Sequence, residues 1–262
     1  EEVLMQGLAD DGGLFMPDSW PKVDLNELKS KDTFLDVAKY IVPMFTKSSF
    51  TDEEVLEVLE NTWHDFSHND LAAIKELDDN KFVLELFHGP TAAFKDFGLQ
   101  LAAAFFNKSL TKQGKTAIVL GATSGDTGSA AIDACKRFDS IKSFILLPDG
   151  NMSEVQRKQM TTVNSCNVFN IALKGTFDDC QDIIKKLFRD TELNQRLNLG
   201  SINSINWTRI MAQITYYIYA YNKIKKETGS SNISFSIPTG NFGDAYAGYI
   251  AKEKFNIPIK KL

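Results

Sequence analysis

A single lysine, Lys95, lies within an apolar, glycine-punctuated stretch of the sequence, LFHGPTAAFKDFG, residues 86–98. Phe94 and Phe97 flank it, and the helix-like segment that follows is apolar over most of residues 99–106. A helix that apolar is expected to be buried. At the amino end of a buried helix, desolvation and the helix dipole both favour a neutral, nucleophilic amine, which attacks carbonyl carbons. The alternative is a snorkelling lysine at the surface.

Two predicted strand-to-helix turns are rich in glycine and small polar residues. They are GATSGDTG, residues 121–128, and PTGNFGD, residues 238–244. Such a turn presents backbone N–H groups at the positive end of a helix dipole, so it can bind an anion without a cationic side chain. Neither turn has the spacing of a dinucleotide or P-loop signature. Glycines also occur in such turns without any ligand, but two turns at strand carboxyl ends favour a ligand with two anionic groups.

Lys95 and the two turns together predict an aldehyde cofactor with a phosphate group. Lys95 would bond to the carbonyl carbon, one turn would bind the phosphate, and the other would bind the carboxylate of an amino-acid substrate. Pyridoxal phosphate has this shape.

The elements that must position these groups alternate between strands and helices from Thr116 onward. The apolar runs predict strands at 116–121, 142–148, 167–173 and 232–238. Helices are predicted at 127–138, from 153, at 176–190, at 206–226 and from 243. This alternation indicates right-handed βαβ units, and so an open α/β fold with mostly parallel sheets flanked by helices.

Capping-box spacing marks three helix starts: Ser153 with Gln156, Thr176 with Asp179, and Thr51 with Glu54. No sheet signal dominates the first 80 residues. We therefore predict a small, mostly helical N-terminal region, residues 1–80, followed by an α/β body, residues 81–262, made of two α/β subdomains.

Composition excludes several classes of protein. The 262 residues are 43% apolar and 24% charged, with a net charge of −5 and a pI near 5.3, which argues against a nucleic-acid partner. Three cysteines without CxxC spacing predict neither a disulfide framework nor a zinc site, and we expect no metal. No apolar run approaches the roughly 18 residues of a membrane helix. We expect a cytoplasmic protein with no membrane partner.

Several sequence blocks resemble those of the threonine synthase family: ELFHGPTAAFKDFGLQL, GATSGDTGSAA, SINSINWTRIMAQITYYIYAY and IPTGNFGDAYAGYIA. GLADDGGLFMP and LPDGNMSEVQRKQM resemble two more, and the resemblance runs in order from about residue 5 to 262. It implies a fold-type II pyridoxal-phosphate enzyme with an architecture like the tryptophan synthase β subunit. The implied activity is conversion of O-phosphohomoserine and water to threonine and phosphate, by a carbon–oxygen lyase acting on phosphates.

The resemblance also implies roles for particular residues. Lys95 would bond to the cofactor aldehyde, and Asp126 would contact the cofactor ring. The cofactor phosphate would be bound by Gly240, Asn241, Phe242 and Gly243. The substrate carboxylate would be bound by Thr123, Ser124 and Thr127, and the substrate phosphate by Ser153, Asn203 and Asn206. His88 would belong to the substrate site or hold an orienting hydrogen bond.

Alternatives remain open at this stage. One is a threonine-synthase-like phospholyase that eliminates phosphate to give a keto acid, and another is a non-catalytic fragment. The chain begins without methionine and ends after FNIPIKKL, so we expect a fragment that lacks the C-terminal part of the family. We expect a monomer or homodimer.

Overall fold

The computed structural model describes residues 3–4, 13–150, 152–201 and 206–262. The chain divides into two compact units. The sheet unit comprises the described residues within Glu1–Phe15 and Ala102–Asn206, and the helical unit comprises Met16–Leu101 and Trp207–Leu262. The domain division predicted from the sequence, 1–80 and 81–262, stays a prediction.

Four helices and a hairpin begin the helical unit: α1 Leu25–Leu28, α2 Phe34–Ile41, α3 Pro43–Thr46, α4 Asp52–Thr62, β1 Ala73–Asp78 and β2 Lys81–Glu85. The predicted capping box at the start of α4 is present, since Thr51 and Glu54 each bond the backbone of the other. No sheet signal dominates the sequence before residue 80, so β1 was not predicted. This strand is mostly exposed, so burial imposes little apolar alternation on its sequence.

The next helix, α5 (Lys95–Gln113), begins in the helical unit and ends in the sheet unit. Its first turns are buried, as the apolar sequence predicts, and Phe97 is fully enclosed. The Phe97 ring packs against the rings of Phe34 and Phe66 at centroid distances of 5.2 and 4.9 Å. The Trp63 indole N–H donates to the Phe97 carbonyl at 3.1 Å. These contacts hold the start of α5 within the core of the helical unit.

The sheet unit is built on four parallel strands in the order β5-β4-β3-β6. Its elements in chain order are β3 Ala117–Ala122, α6 Asp126–Cys135, β4 Ile141–Pro148, α7 Glu154–Thr161, β5 Val168–Leu173, α8 Phe177–Arg189, α9 Thr191–Leu197 and β6 Leu199–Ser201. The pairing of β3 with β4 runs without a break from Ala117 opposite Ile141 to Ala122 opposite Leu146. The strands' carboxyl ends therefore lie at one edge, where the 121–128 turn follows β3.

Apolar side chains from both strands and helices fill the core of this unit. One cluster consists of Leu120, Leu146, Cys180, Ile184 and Leu199. Cys180 and Ile184 are one helical turn apart on α8, which explains why both face the sheet. The predicted strands and helices of this unit are present within a few residues, whereas α9 and β6 were not predicted.

The last part of the helical unit contains α10 Trp207–Thr228, β7 Ile233–Ser234, α11 Gly243–Tyr249 and β8 Ile259–Lys261. A π-helical segment, Ile250–Lys254, continues α11. Residues 208–221 of α10 are all buried. The strand predicted at 232–238 is shorter than expected, because its pairing with β8 is irregular. One further bond, from the Phe235 N–H to the Lys261 carbonyl at 3.0 Å, extends it.

Candidate active site

Lys95 is the first residue of α5, at the amino end of a buried helix as the sequence predicts. Its side chain is half-buried, and Nζ lies 4.6 Å from the centroid of the Phe94 ring. The amine therefore lies against an aromatic face at the positive end of a helix. This differs from a snorkelling lysine, whose ammonium group extends into bulk water.

The loop that precedes Lys95 is fixed by the next residue, Asp96, which is fully buried. Its carboxylate accepts a hydrogen bond from the Thr91 N–H at 2.9 Å and another from the Thr91 hydroxyl at 2.7 Å. Gly89 lies so close that a Cβ there would fall 2.4 Å from Asp96 Oδ2. The glycine is therefore required by close approach, and the loop and first helical turn form one rigid piece.

The 240–243 turn leads directly into α11 in the same unit. Phe242 adopts a left-handed backbone conformation, φ 55°, at the N-cap position, and among the described residues no side chain caps this helix end. The Phe242 side chain is 68% exposed, and the space around the Gly240 Cα is open. The first N–H groups of a helix have no partner within the helix. The turn thus offers backbone donors to an anion, which fits a phosphate group.

Asp244, the second residue of α11, is 8% exposed and lies directly behind this turn. Its Oδ1 atom accepts hydrogen bonds from the hydroxyls of Tyr216, in a short contact, and Tyr217, at 2.8 Å. Burial raises the pKa of Asp244, and the two phenols and the charge of Lys95 act in the opposite direction. Burial also raises the pKa of Tyr216 and of Tyr217, and the nearby Asp244 charge raises both further.

Lys95 and Asp244 belong to the same compact unit. The Lys95 charge acts on the Asp244 carboxylate, which follows Gly243 directly. Lys95 lies in the helical unit, and so do the residues predicted to bind the cofactor phosphate, Gly240, Asn241, Phe242 and Gly243. These residues fit a ligand that carries an aldehyde at one end and a phosphate at the other.

His88 also lies in the helical unit. Its Nε2 atom is 2.9 Å from Glu85 Oε2, and its ring lies 4.8 Å from the His68 ring. The Ser67 N–H and hydroxyl donate to the His88 carbonyl at 2.8 and 3.1 Å. These contacts hold the histidine just before the Gly89–Thr91 loop.

Predicted substrate-binding residues lie in the sheet unit. Thr123 is buried, and its hydroxyl donates to the Gly125 carbonyl and accepts from the N–H groups of Gly125 and Gly128. A Cβ on Gly128 would fall 2.3 Å from the Thr123 methyl, so this glycine too is required by close approach. Thr123 therefore shapes the turn, whereas Ser124 is exposed and Thr127 half-buried.

Asp126 and Ser153 are linked through one glutamine. The Gln156 amide donates to Asp126 Oδ1 in a short contact, and its N–H donates to the Ser153 hydroxyl at 3.3 Å. Ser153 is the N-cap of α7, as predicted. Asn206 is buried directly before α10, and Asn203 lies outside the described residues. The proposed substrate residues other than His88 and Asn203 therefore belong to the sheet unit.

In the part of the chain that the structure describes, no group of three or more His, Cys, Asp or Glu side chains is arranged to hold a metal ion. Nor is any described helix both long and apolar enough to cross a membrane.

Comparisons with known proteins place the chain in a family. Residues 70–259 match the family described as pyridoxal-phosphate dependent enzyme, and residues 1–63 match the threonine synthase N terminus. The chain belongs to the family of pyridoxal-phosphate-dependent enzymes. Within that family it groups with the threonine synthases, which confirms the resemblance stated from the sequence.

The relatives support this grouping over the whole chain. Threonine synthase from Pseudomonas aeruginosa is 44% identical, over 100% of this chain and 56% of that protein. The yeast threonine synthase crystal structure matches with a TM-score of 0.92 and 41% identity, over 100% of this chain and 54% of that chain. The PLP-bound threonine synthase structure from Brucella melitensis matches with a TM-score of 0.90 and 40% identity, over 98% of this chain and 55% of that one. The predicted fold class is confirmed, and the chain spans about half the length of these relatives.

Sequence reasoning missed several residues that shape the site: Thr91, Asp96, Tyr216, Tyr217 and Asp244. All of them lie in the blocks on which the resemblance was recognised, but none was given a role. A signal existed for Asp96 and Asp244, since a carboxylate in the first turn of an apolar helix must find donors if it is buried.

Proposed function

We propose that this chain binds pyridoxal phosphate through Lys95 and the 240–243 turn. We further propose that the whole protein converts O-phosphohomoserine and water to threonine and phosphate, the final step of threonine formation. The observation that carries the proposal is the placement of Lys95 at the start of a buried helix, in the same compact unit as the 240–243 turn. The grouping with threonine synthases supports the reaction.

Each part of the helical unit would have a distinct role. Bound pyridoxal phosphate would supply an electron sink for the substrate carbon next to the amine. Lys95 Nζ would bond the cofactor aldehyde at rest, and would hold and move the substrate protons once the substrate amine has displaced it. The N–H groups of residues 240–243 would bind the cofactor phosphate. Asp96 would keep the Lys95 backbone in one position.

The substrate side of the proposal involves the sheet unit. We propose that the turn at 123–127 binds the substrate carboxylate and that Asp126 contacts the cofactor ring. Ser153, Asn203 and Asn206 would bind the substrate phosphate, and His88 of the helical unit would help to orient the substrate. The position of the turn after a strand of a parallel sheet supports this assignment, since ligands bind at that edge in open α/β folds.

Cofactor binding can be tested on the chain itself. Adding pyridoxal phosphate should produce the visible absorbance of a lysine-bound aldehyde, and borohydride reduction should fix the cofactor on the peptide that contains Lys95. Lys95→Ala should abolish both signals. Lys112→Ala is the matched control, because Lys112 is an exposed lysine of the same helix, and it should bind the cofactor normally. Label found on other lysines but not on Lys95 would refute the proposal.

The alternative proposal is a phospholyase that eliminates phosphate to give a keto acid. The relatives also include a protein named threonine synthase-like 2, which is 36% identical and comes from Xenopus laevis. Incubation with O-phosphohomoserine and with O-phosphothreonine separates the two reactions: threonine from the first substrate supports our proposal, and keto acid from either supports the alternative. Cofactor binding without any product would leave a binding role.

The setting of the protein is also part of the proposal. We propose a cytoplasmic monomer or homodimer that acts on a small-molecule substrate. The three cysteines, Cys135, Cys166 and Cys180, are free thiols, which supports a reducing compartment. Gel filtration with light scattering would give the oligomeric state directly.

A further inference from the structure

Two consecutive tyrosines of α10 converge on one carboxylate oxygen of α11. Tyr216 and Tyr217 both donate to Asp244 Oδ1, and all three residues are largely buried. Consecutive residues of a helix point about 100° apart, so both phenols reach one atom only if the carboxylate lies over α10 between them. The amino end of α11 is thereby fixed in two directions.

Each of these tyrosines also packs against a second residue. The Tyr216 ring packs edge-on against Phe97, with 5.7 Å between centroids, and Phe97 is two residues from Lys95. The Tyr217 ring lies so close to Gly248 of α11 that a Cβ there would be 3.1 Å from two ring carbons. Tyr216 therefore contacts both the start of α5 and the start of α11.

A buried carboxylate is a costly way to hold two helices together. Removing its charge from water opposes burial, and apolar side chains of the same volume often give equal or greater stability. What hydrogen bonds provide, and apolar packing does not, is a fixed direction and distance. This favours a role for Asp244 in geometry rather than in stability.

We propose that Asp244 is a positioning residue that sets the 240–243 turn at a fixed place relative to Lys95, through its bonds to Tyr216 and Tyr217. The inference rests on the proposed cofactor site and deepens it. An aldehyde ligand with a phosphate group would then be bound at both ends only while these bonds are intact. A ligand that lacks the phosphate would not sense their loss.

The test compares pyridoxal phosphate with pyridoxal, which has the aldehyde but no phosphate. Dissociation constants are measured by absorbance titration of the 262-residue chain and its variants. Asp244→Ala removes both bonds and should raise the dissociation constant of pyridoxal phosphate by roughly tenfold or more, while the dissociation constant of pyridoxal stays unchanged. Tyr216→Phe and Tyr217→Phe should each weaken pyridoxal phosphate binding by about fivefold, as expected for one hydrogen bond. Asp244→Asn keeps the accepting oxygen and should retain most of the affinity.

A matched control comes from the same helix. Tyr221 is buried, and its hydroxyl has no hydrogen-bond partner among the described residues, so Tyr221→Phe should bind both ligands like the wild type. Adding Asp244→Ala to the Tyr216→Phe, Tyr217→Phe double variant should weaken pyridoxal phosphate binding little further, because the same bonds are already lost. Should Asp244→Ala fail to fold by circular dichroism, the two tyrosine variants still decide, since each loses only one hydroxyl.

Four outcomes would overturn the inference. Equal weakening of pyridoxal binding and pyridoxal phosphate binding would show a general loss of structure instead of a specific loss of phosphate binding. If Asp244→Asn bound pyridoxal phosphate as weakly as Asp244→Ala, the effect would come from the charge of Asp244 and not from its positioning role. Variants that bind like the wild type would refute the inference while leaving the cofactor site intact, whereas a wild type that bound no pyridoxal phosphate would refute both.

Discussion

Replacing Asp96 by alanine should destabilise the protein strongly, because two hydrogen bonds to a buried carboxylate are lost together. The Thr91 N–H and hydroxyl donate to it at 2.9 and 2.7 Å, and the side chain is 0% exposed. A hydrogen bond to a charged group contributes about 1.5–3 kcal/mol. Two of them give a loss of about 3–6 kcal/mol in the free energy of unfolding, a large part of the typical total of about 5–15 kcal/mol.

Urea unfolding followed by circular dichroism measures this loss. Asp52→Ala is the control, because Asp52 is an exposed carboxylate in the first turn of α4 and should contribute at most about 1 kcal/mol through the helix dipole. Thr91→Val removes the hydroxyl bond but keeps the N–H bond, so it should cost about half as much as Asp96→Ala. If Asp96→Ala lost no more stability than Asp52→Ala, the two hydrogen bonds from Thr91 to Asp96 would not stabilise the protein as described.

Three further predictions concern other parts of the molecule. Thr123→Val removes three hydrogen bonds within the 121–128 turn and should lower the free energy of unfolding by about 1–3 kcal/mol. A loss under about 0.5 kcal/mol in urea unfolding would contradict this prediction. A thiol reagent at pH 8 should modify the exposed Cys166 quickly and the buried Cys135 only after unfolding. The reason is that burial raises the pKa of Cys135 to about 12. Rapid modification of two or more thiols in the native protein would contradict this prediction. The folded-state pKa of Asp244 is raised above 3.8, so ionisation of this carboxyl opposes folding. The contribution of Asp244 to the free energy of unfolding should therefore rise as the pH falls through its folded-state pKa. Thermal unfolding of the Asp244→Asn variant should lack this rise.

The sequence was informative where structure depends on neighbouring residues. The capping pairs that begin at Thr51, Ser153 and Thr176 each involve groups three positions apart, and all three cap helices at the predicted residues. Lys95 was placed at the start of a buried helix because a long apolar run can be read directly. The alternation of strands and helices in the same way predicted a parallel sheet.

Features that depend on distant residues were not predictable in the same way. The bonds from Tyr216 and Tyr217 to Asp244 join residues 28 and 27 positions apart, so no periodicity indicates them. In the sequence, the tyrosines read only as part of an apolar helix. The β1 strand was missed for a different reason: it is mostly exposed, and the turn that follows uses Asn80 in a left-handed conformation, φ 61°, where a glycine would have been a clearer signal.

The distance between the two halves of the proposed cofactor site is set by α10. At one point of this helix, α5 comes so close that a Cβ on Gly98 would be 2.9 Å from the Arg209 Cβ, and Gly98 is three residues from Lys95. At another, the Tyr216 hydroxyl donates to Asp244, which directly follows the 240–243 turn. From 209 to 216 the helix advances by seven residues, about 10 Å, and returns to nearly the same face. The starts of α5 and α11 therefore both pack against the same face of α10. A one-residue deletion between these two positions would rotate Tyr216 by about 100° away from Asp244 while leaving Lys95 in place. Cofactor binding should therefore be more sensitive to the register of α10 than to its exposed side chains.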